Sequence, residues 1–191
     1  MNQIRILLQR RATVTVLAAA LCAAVVGAAA PAAAASREET DAHVREAVQE
    51  LYRTSPAARE LAAKASAMLV FPSIIKAGFG IGGEYGEGAL LIGGQNSGYY
   101  NIASASVGLQ LGVQEKSVAI LFMTADSLAR FRESKGWKAG VDGSVAIATL
   151  GAGKALDTET ASKPIIGFVF SNKGLMYNLT IEGSKITRME K

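Results

Sequence analysis

The chain of 191 residues has few of the side chains on which most enzyme and metal sites depend. A single cysteine excludes a disulfide framework and a cysteine-rich metal site, and a single histidine excludes most histidine-based catalysis and zinc chemistry. Only 19% of the residues are charged and 50% are apolar, which is not the composition of a disordered chain. With 20 glycines and this length, the chain is predicted to be a glycine-rich globular protein with a single hydrophobic core.

Residues 1–35 have the layout of a secretory signal peptide. An acid-free, alanine-rich apolar stretch occupies residues 12–30, ends in small residues, and follows three arginines, Arg5, Arg10 and Arg11. The pattern predicts cleavage before Ser36, export to the periplasm or cell envelope, and a single mature domain over residues 36–191. Because about 20 apolar residues can also span a bilayer, retention as an uncleaved membrane anchor is the alternative.

The charge of the mature chain is small but unevenly distributed. Removing residues 1–35 leaves 17 Lys and Arg against 16 Asp and Glu, a net charge of +1. Residues 36–115 carry six basic and nine acidic residues, whereas residues 116–191 carry eleven and seven. The second half can therefore form a basic face. No basic cluster interleaved with aromatic residues is present, so we predict no nucleic-acid partner.

Three helices are predicted from apolar spacing and capping residues. The first covers residues 38–53, with apolar positions at helical spacing: Val44, Val48, Leu51 and Tyr52. Ser55 followed by a proline predicts the start of a second helix, whose apolar stripe extends to Met68, and Pro72 ends the apolar run of residues 68–71. Thr124 predicts the N-cap of a third, short internal helix.

The remaining chain is predicted to form a curved sheet. Residues 78–112 contain eleven glycines, which predicts short, sharply curved strands. Residues 107–113 alternate as a half-buried strand, and residues 118–123 form a continuous apolar run typical of a central strand. Residues 165–170 and 175–181 predict a hairpin. The fold class is therefore α+β: a curved, mostly antiparallel, glycine-rich sheet, barrel-like or a sandwich, with N-terminal amphipathic helices and one short internal helix.

No motif predicts catalysis, a cofactor or a metal ion. Glycines within residues 78–83 have dinucleotide-loop spacing, but no helix-forming sequence follows them, so they indicate a curved strand. Ser144 lacks the glycine that follows a nucleophile elbow, and His43 lies on the polar side of its helix. The single Trp137 is interpreted either as a core residue or as an indole at a membrane surface.

Four segments together resemble the SYLF domain family. They are VFPSIIKAGFGIGGEYGEG at residues 70–88, SVGLQLGVQ at 106–114, FMT at 122–124 and GVDGSV at 140–145. The resemblance covers about residues 38–190. It implies a lipid-binding domain, since eukaryotic members bind phosphoinositide membranes, partly through an N-terminal amphipathic helix, and some regulate actin.

The resemblance and the charge pattern together predict an exported, non-catalytic domain that contacts anionic phospholipid headgroups. Lys76 matches the Lys-Ala-Gly motif of the family, and Arg130, Lys135 and Lys138 lie around the short internal helix, so these four are the predicted lipid-binding residues. The alternative is a structural or protein-interaction module of the cell envelope, with the helices of residues 38–68 docking a protein partner.

Overall fold

A computed structural model describes residues 35–150, 158–173, 181 and 183–191. The described residues form four helices and six strands, in the order α1 (Arg37–Thr54), α2 (Pro56–Lys64), β1 (Ala67–Ile92), β2 (Gln95–Phe122), α3 (Ala125–Glu133), β3 (Trp137–Lys138), β4 (Ala146–Thr149), α4 (Thr158–Ala161), β5 (Ile165–Lys173) and β6 (Lys185–Met189). The predicted α+β class with a curved sheet is confirmed. The predicted signal peptide up to residue 34 and the hairpin strand at 175–180 lie outside the described residues.

Helix α1 begins at a capping box and buries its apolar stripe. Ser36 Oγ accepts a hydrogen bond from the backbone N–H of Glu39 at 3.2 Å, and the Glu39 carboxylate accepts one from the Ser36 N–H at 3.3 Å. Such caps stabilise a helix by about 1 kcal/mol. Val44, Ala47 and Leu51 are buried. The predicted first helix is confirmed.

Helix α2 begins where predicted but is shorter. Ser55 Oγ accepts a hydrogen bond from the Ala58 N–H at 3.1 Å, and the helix ends at Lys64. The prediction that Met68 continues this helix is wrong, because Met68 lies in β1. Pro72 does not end an element either. It lies in a register shift of the β1–β2 pair, where a strand tolerates a residue without an N–H.

Strands β1 and β2 form one long hairpin instead of the several short strands predicted within residues 78–112. They span 26 and 28 residues, and their antiparallel register begins with Ala67 opposite Phe122. Gly93 and Gly94 join them with φ of 59° and 80°, the conformation that a two-residue hairpin turn requires. The glycines therefore interrupt the apolar pattern without ending the strands.

The hairpin bends so sharply that the two halves of β1 touch each other. A Cβ atom on Gly88 would collide with the carbonyl oxygen of Val70, and one on Gly86 would lie 2.7 Å from the carbonyl oxygen of Ser73. No side chain fits at either glycine without moving the backbone. The predicted curvature thus has its physical reason in the close approach of one strand to itself.

Strand β2 is the centre of the sheet. β1 pairs along one of its edges, while β5 and β6 pair antiparallel with the two ends of the other edge. β4 joins β5 in parallel and β3 joins β6 antiparallel, so the sheet is mixed but mostly antiparallel. The apolar run at residues 118–122 lies between β1 and β5 and is fully buried, as predicted for a central strand.

Alternate residues of the central strands enter two apolar clusters on opposite faces of the sheet. One cluster contains Phe71 and Ile120 and is covered by Phe131 of α3. The other contains Val70 and Leu121 and is covered by the buried residues of α1. The apolar face of α1 is therefore occupied by the protein's own sheet. No helix within the described ranges is long and apolar enough to cross a bilayer.

Candidate functional site

The four predicted lipid-binding residues lie in two different environments. Arg130, Lys135 and Lys138 are exposed around the C-terminal end of α3. Lys76 lies in β1, is 6% exposed, and its Nζ is 3.3 Å from Oε1 of Glu84. Lys76 therefore presents no charge to an outer surface in this conformation, whereas the other three do. Lipid contact by Arg130, Lys135 and Lys138 stays a prediction.

Strand pairing places a second lysine beside Lys138. In the β3–β6 register Lys138 lies opposite Lys185, and both side chains are exposed. The Lys185 side chain lies over Gly136, where a Cβ atom would come 2.5 Å from its Cε and 3.3 Å from its Nζ. Like charges directly opposite each other destabilise a pair of strands, so two unneutralised positive charges lie together at this edge of the sheet.

Tyr100 of β2 lies beside β6 and packs on α3. Arg188 lies opposite Tyr100 in the β2–β6 register, and the Tyr100 ring packs on Phe131 of α3 with 5.1 Å between centroids. Burial raises the pKa of Tyr100, and the positive charges of Arg188 and Arg132 both act to lower it. The two guanidinium groups, one from β6 and one from α3, therefore act on the same phenol.

Six exposed cations lie on α3, just after it, and on the β3–β6 pair: Arg130, Arg132, Lys135, Lys138, Lys185 and Arg188. We call this region of the protein the α3–β6 basic surface. Within the described residues, none of the six makes an ion pair with a carboxylate. Sequence reasoning found three of these residues. It missed Arg132, and it missed Lys185 and Arg188 because only the pairing of β6 brings them to α3.

A buried charged triad lies inside the bend of the β1–β2 hairpin. The Glu84 carboxylate is 3.3 Å from Lys76 Nζ and 3.1 Å from Lys116 Nζ, and the three side chains are at most 8% exposed. Charges are tolerated at such depth when they are paired. Glu84 therefore connects the two halves of β1 through its ion pair with Lys76.

Residues 107–113 lie in strand β2, as their alternating pattern predicts, but at the end of this segment the apolar residue is exposed and the polar residue is buried. Val113 is 67% exposed, whereas the next residue, Gln114, is 1% exposed. Gln114 Nε2 donates a hydrogen bond to Asn172 Oδ1 of β5 at 2.6 Å, and Gln114 lies opposite Lys76. The interior is polar at this end of the hairpin, and the polar residue therefore faces inward.

Lys191 ties the C-terminal residue to the start of α1. Its Nζ lies 2.7 Å from Glu87 Oε2 and donates hydrogen bonds to Thr40 Oγ1 at 2.7 Å and to the Ala35 carbonyl at 2.8 Å. It also lies 5.4 Å from the centroid of the Tyr99 ring. We call this set of contacts the Lys191 clamp. The Lys191 charge is neutralised inside the protein and adds nothing to the basic surface.

The groups considered for catalysis do not form a constellation. His43 and Ser144 are exposed on different elements, and Asp142 Oδ2 accepts a backbone hydrogen bond at 2.6 Å in a turn. Across the described ranges, no three His, Cys, Asp or Glu side chains gather as metal ligands would. Trp137 is 2% exposed and packs edge-on against Phe131 at 5.8 Å, which confirms its interpretation as a core residue.

Comparison with known families gives a match to the second half of the chain. Residues 103–191 match the family model described as Ysc84, a Las17-binding protein actin regulator. The matched segment runs from β2 to the C-terminus and includes all six residues of the α3–β6 basic surface. A search among curated proteins gives no match.

Proposed function

We propose that the chain is an exported, non-catalytic domain of the SYLF type, which contacts anionic lipid headgroups through the α3–β6 basic surface. The match of residues 103–191 to the Ysc84 domain supports this assignment. The family is lipid-binding and actin-regulating, and it is generally non-catalytic, which supports lipid as the partner class. The arginines before the apolar N-terminal stretch support export to the periplasm or cell envelope. In the proposed compartment the protein would not meet actin, so actin regulation is not part of the proposed function.

The observation that carries the proposal is that the region around α3 and β6 has six exposed cations with no carboxylate partner among the described residues. Each basic residue near an anionic membrane contributes about 1 kcal/mol of attraction. The mature chain has a net charge of only +1, so this attraction comes from local concentration of charge and not from the protein as a whole. The apolar face of α1 is packed on the sheet, so the proposal does not depend on insertion of this helix into the bilayer.

Vesicle flotation tests the proposal. All described elements lie within residues 35–191, which form one compact unit, so the protein of residues 36–191 is suitable. We expect flotation with phosphatidylcholine vesicles to rise with the content of phosphatidylglycerol and to fall with salt. Reversing three cations of the surface, at about 1 kcal/mol each, lowers vesicle affinity by about 100-fold or more; the variant is Arg130→Glu, Lys135→Glu, Lys138→Glu.

A matched control separates local charge from total charge. Three exposed cations on α1 and α2 give the same change in net charge when reversed: Arg45→Glu, Arg59→Glu and Lys64→Glu. We expect this variant to float nearly as the unmodified protein does. Equal loss in both triple variants would contradict a role for this particular surface, and absence of flotation at every lipid composition would contradict direct lipid binding.

A protein partner in the cell envelope is the second candidate function. One feature favours it: Ile75, Ile81 and Val113 are 52%, 73% and 67% exposed near the bend of the β1–β2 hairpin. Exposed aliphatic side chains of this kind suit a protein contact. The earlier form of this alternative, in which the N-terminal helices dock a partner, loses support because the apolar face of α1 is already covered. Absence of flotation would favour this candidate.

A further inference from the structure

A pocket of about 520 Å³ opens between α3, the turn before β4 and the start of β5. Small-molecule sites in proteins typically have volumes of about 300–1,000 Å³. The pocket shares Arg130 with the α3–β6 basic surface and adds Lys163, which lies just before β5. It is therefore a concave site beside a surface that the proposed function assigns to lipid headgroups.

The lining of the pocket is largely apolar. Trp137, Val145 and Ile165, all buried in the α3-side cluster, line it. Gly143 allows the turn to lie directly against this apolar lining, since a Cβ atom there would be 2.9 Å from Trp137 Cζ2 and 3.1 Å from Ile165 Cδ1. Such a lining accepts a hydrocarbon group and disfavours a fully hydrated ion.

The charged groups of the pocket leave one positive charge in excess. Arg130 and Lys163 are its cations and Asp142 is its single acid. Asp142 Oδ2 already accepts a backbone N–H, and Lys163 Nζ lies 3.0 Å from the exposed Glu159. A solvent-exposed pair of that kind is worth only about 0.3–0.5 kcal/mol, so Lys163 can exchange it for a ligand.

The hydroxyl groups around the pocket differ in how much they can offer a ligand. Ser127 Oγ donates to backbone carbonyls at 2.8 and 3.2 Å, and Thr124 Oγ1 caps α3. The Ser144 hydroxyl is exposed and has no hydrogen-bond partner among the described residues. It can therefore donate to an anion held by the two cations without breaking a bond of the fold.

From these features we propose that the pocket binds an amphiphile with one negatively charged oxyanion head, a phosphodiester or a carboxylate, and an apolar part adjoining it. Arg130, Lys163 and Ser144 hold the head, and the apolar part lies on the lining formed by Trp137 and its neighbours. The inference rests on the proposed function and deepens it. It adds recognition of single lipid molecules to attraction by a charged surface.

Trp137 provides the test, because it is the only tryptophan of the chain and lines the pocket. The protein of residues 36–191 is titrated with dihexanoyl phosphatidylglycerol below its micelle concentration while tryptophan emission is recorded. We expect a saturable change. Dihexanoyl phosphatidylcholine, which has no net charge, and glycerol 3-phosphate, which has no acyl chain, are expected to give at most a weak response.

Two variants and a control assign the signal to the pocket. Lys163→Gln is expected to raise Kd about tenfold or more, as loss of a charge-assisted contact does. Ser144→Phe places a ring in the pocket and is expected to abolish the response, with circular dichroism verifying the fold. Arg59→Gln removes an exposed cation on α2 and is expected to leave Kd unchanged.

Three results would overturn the inference: no saturable change with the phosphatidylglycerol, an equal response to the phosphatidylcholine, or an equal response to glycerol 3-phosphate alone. The last would show an anion site without selection for an apolar part. The proposed function fails separately. Vesicle flotation without a Trp137 response would support lipid contact by the basic surface and contradict ligand binding in the pocket. A Trp137 response without flotation would support ligand binding in the pocket and contradict lipid contact by the basic surface.

Discussion

Replacing Lys191 by methionine removes the charge of the Lys191 clamp while keeping most of the side-chain volume. The Lys191 side chain is 6% exposed and that of Glu87 is 13% exposed, so the ion pair between them is largely shielded from water. The change leaves the Glu87 carboxylate without its cation. It also removes the hydrogen bonds to Thr40 and to the Ala35 carbonyl at the start of α1.

The magnitude follows from this burial. Removing one partner of a buried ion pair costs about 3–5 kcal/mol, and the partial exposure of Glu87 places the expected loss near the lower end, at about 3 kcal/mol. For a domain of this size, 1 kcal/mol corresponds to roughly 2–4 °C in Tm. Lys191→Met should therefore lower Tm by roughly 6–12 °C.

A double-mutant cycle measures the coupling free energy between Lys191 and Glu87. Chemical denaturation is carried out on four proteins: the unmodified protein, Lys191→Met, Glu87→Gln and the double variant. We expect a coupling free energy above about 1 kcal/mol, as for residues in direct contact. Lys173→Met is the control, since Lys173 Nζ is 3.7 Å from Glu115 and the Lys173 side chain is 77% exposed. A loss for Lys191→Met no larger than that for Lys173→Met would refute the reasoning.

The clamp also predicts a dependence on pH. Burial raises the pKa of Glu87, but hydrogen bonds from Lys191 and Tyr85 and the charge of Lys191 outweigh it, so the pKa lies below its ordinary value of 4.5. A carboxyl group with a lowered folded pKa stabilises the fold above its ordinary pKa, and this contribution is lost as the pH falls through the folded pKa. The stability difference between the unmodified protein and Lys191→Met should therefore be largest near neutral pH and shrink as the pH falls through the lowered pKa of Glu87.

Two further variants test the bend of the hairpin. Glu84→Gln removes the carboxylate that pairs with two buried ammonium groups and should destabilise the protein by about 3–5 kcal/mol. The control Glu115→Gln changes an exposed ion pair and should cost less than about 1 kcal/mol. Equal losses of stability in urea denaturation would contradict the role of the triad. Gly88→Ala places a methyl group against the backbone of Val70 and should lower the free energy of unfolding by more than about 2 kcal/mol. In the control Gly83→Ala, the new methyl group meets only an ordinary contact of 3.5 Å. Similar Tm values for the two variants would contradict the close approach of the two halves of β1.

Features set by local chemistry were predictable from the sequence. Ser55 and Thr124 mark helix starts because a hydroxyl can accept the N–H groups that a first turn leaves free, and the structure confirms both caps. The apolar run at residues 118–122 indicates a strand buried on both faces for an equally local reason. Curvature followed from glycine content.

Features set by distant contacts were not predictable. Glycine density alone cannot tell several short strands from one long strand that bends, because the difference lies in what Gly88 touches. Lys76 looked like a surface cation because its partner Glu84 meets it only across the bend. Lys185 and Arg188 lie some fifty residues from α3 and reach the basic surface through strand register alone. Half of the candidate site was therefore hidden from local pattern reading.

The covered face of α1 also has a consequence for the speed of membrane association. A domain that binds by inserting an amphipathic helix must first detach that helix, so its association rate is limited by an internal step and saturates as vesicles are added. With Val44, Ala47 and Leu51 seated on the sheet and the cations already on the surface, this domain needs no such step. Under the proposed function, its encounter with an anionic bilayer is governed by diffusion and electrostatic steering, and we expect salt to act first on the association rate.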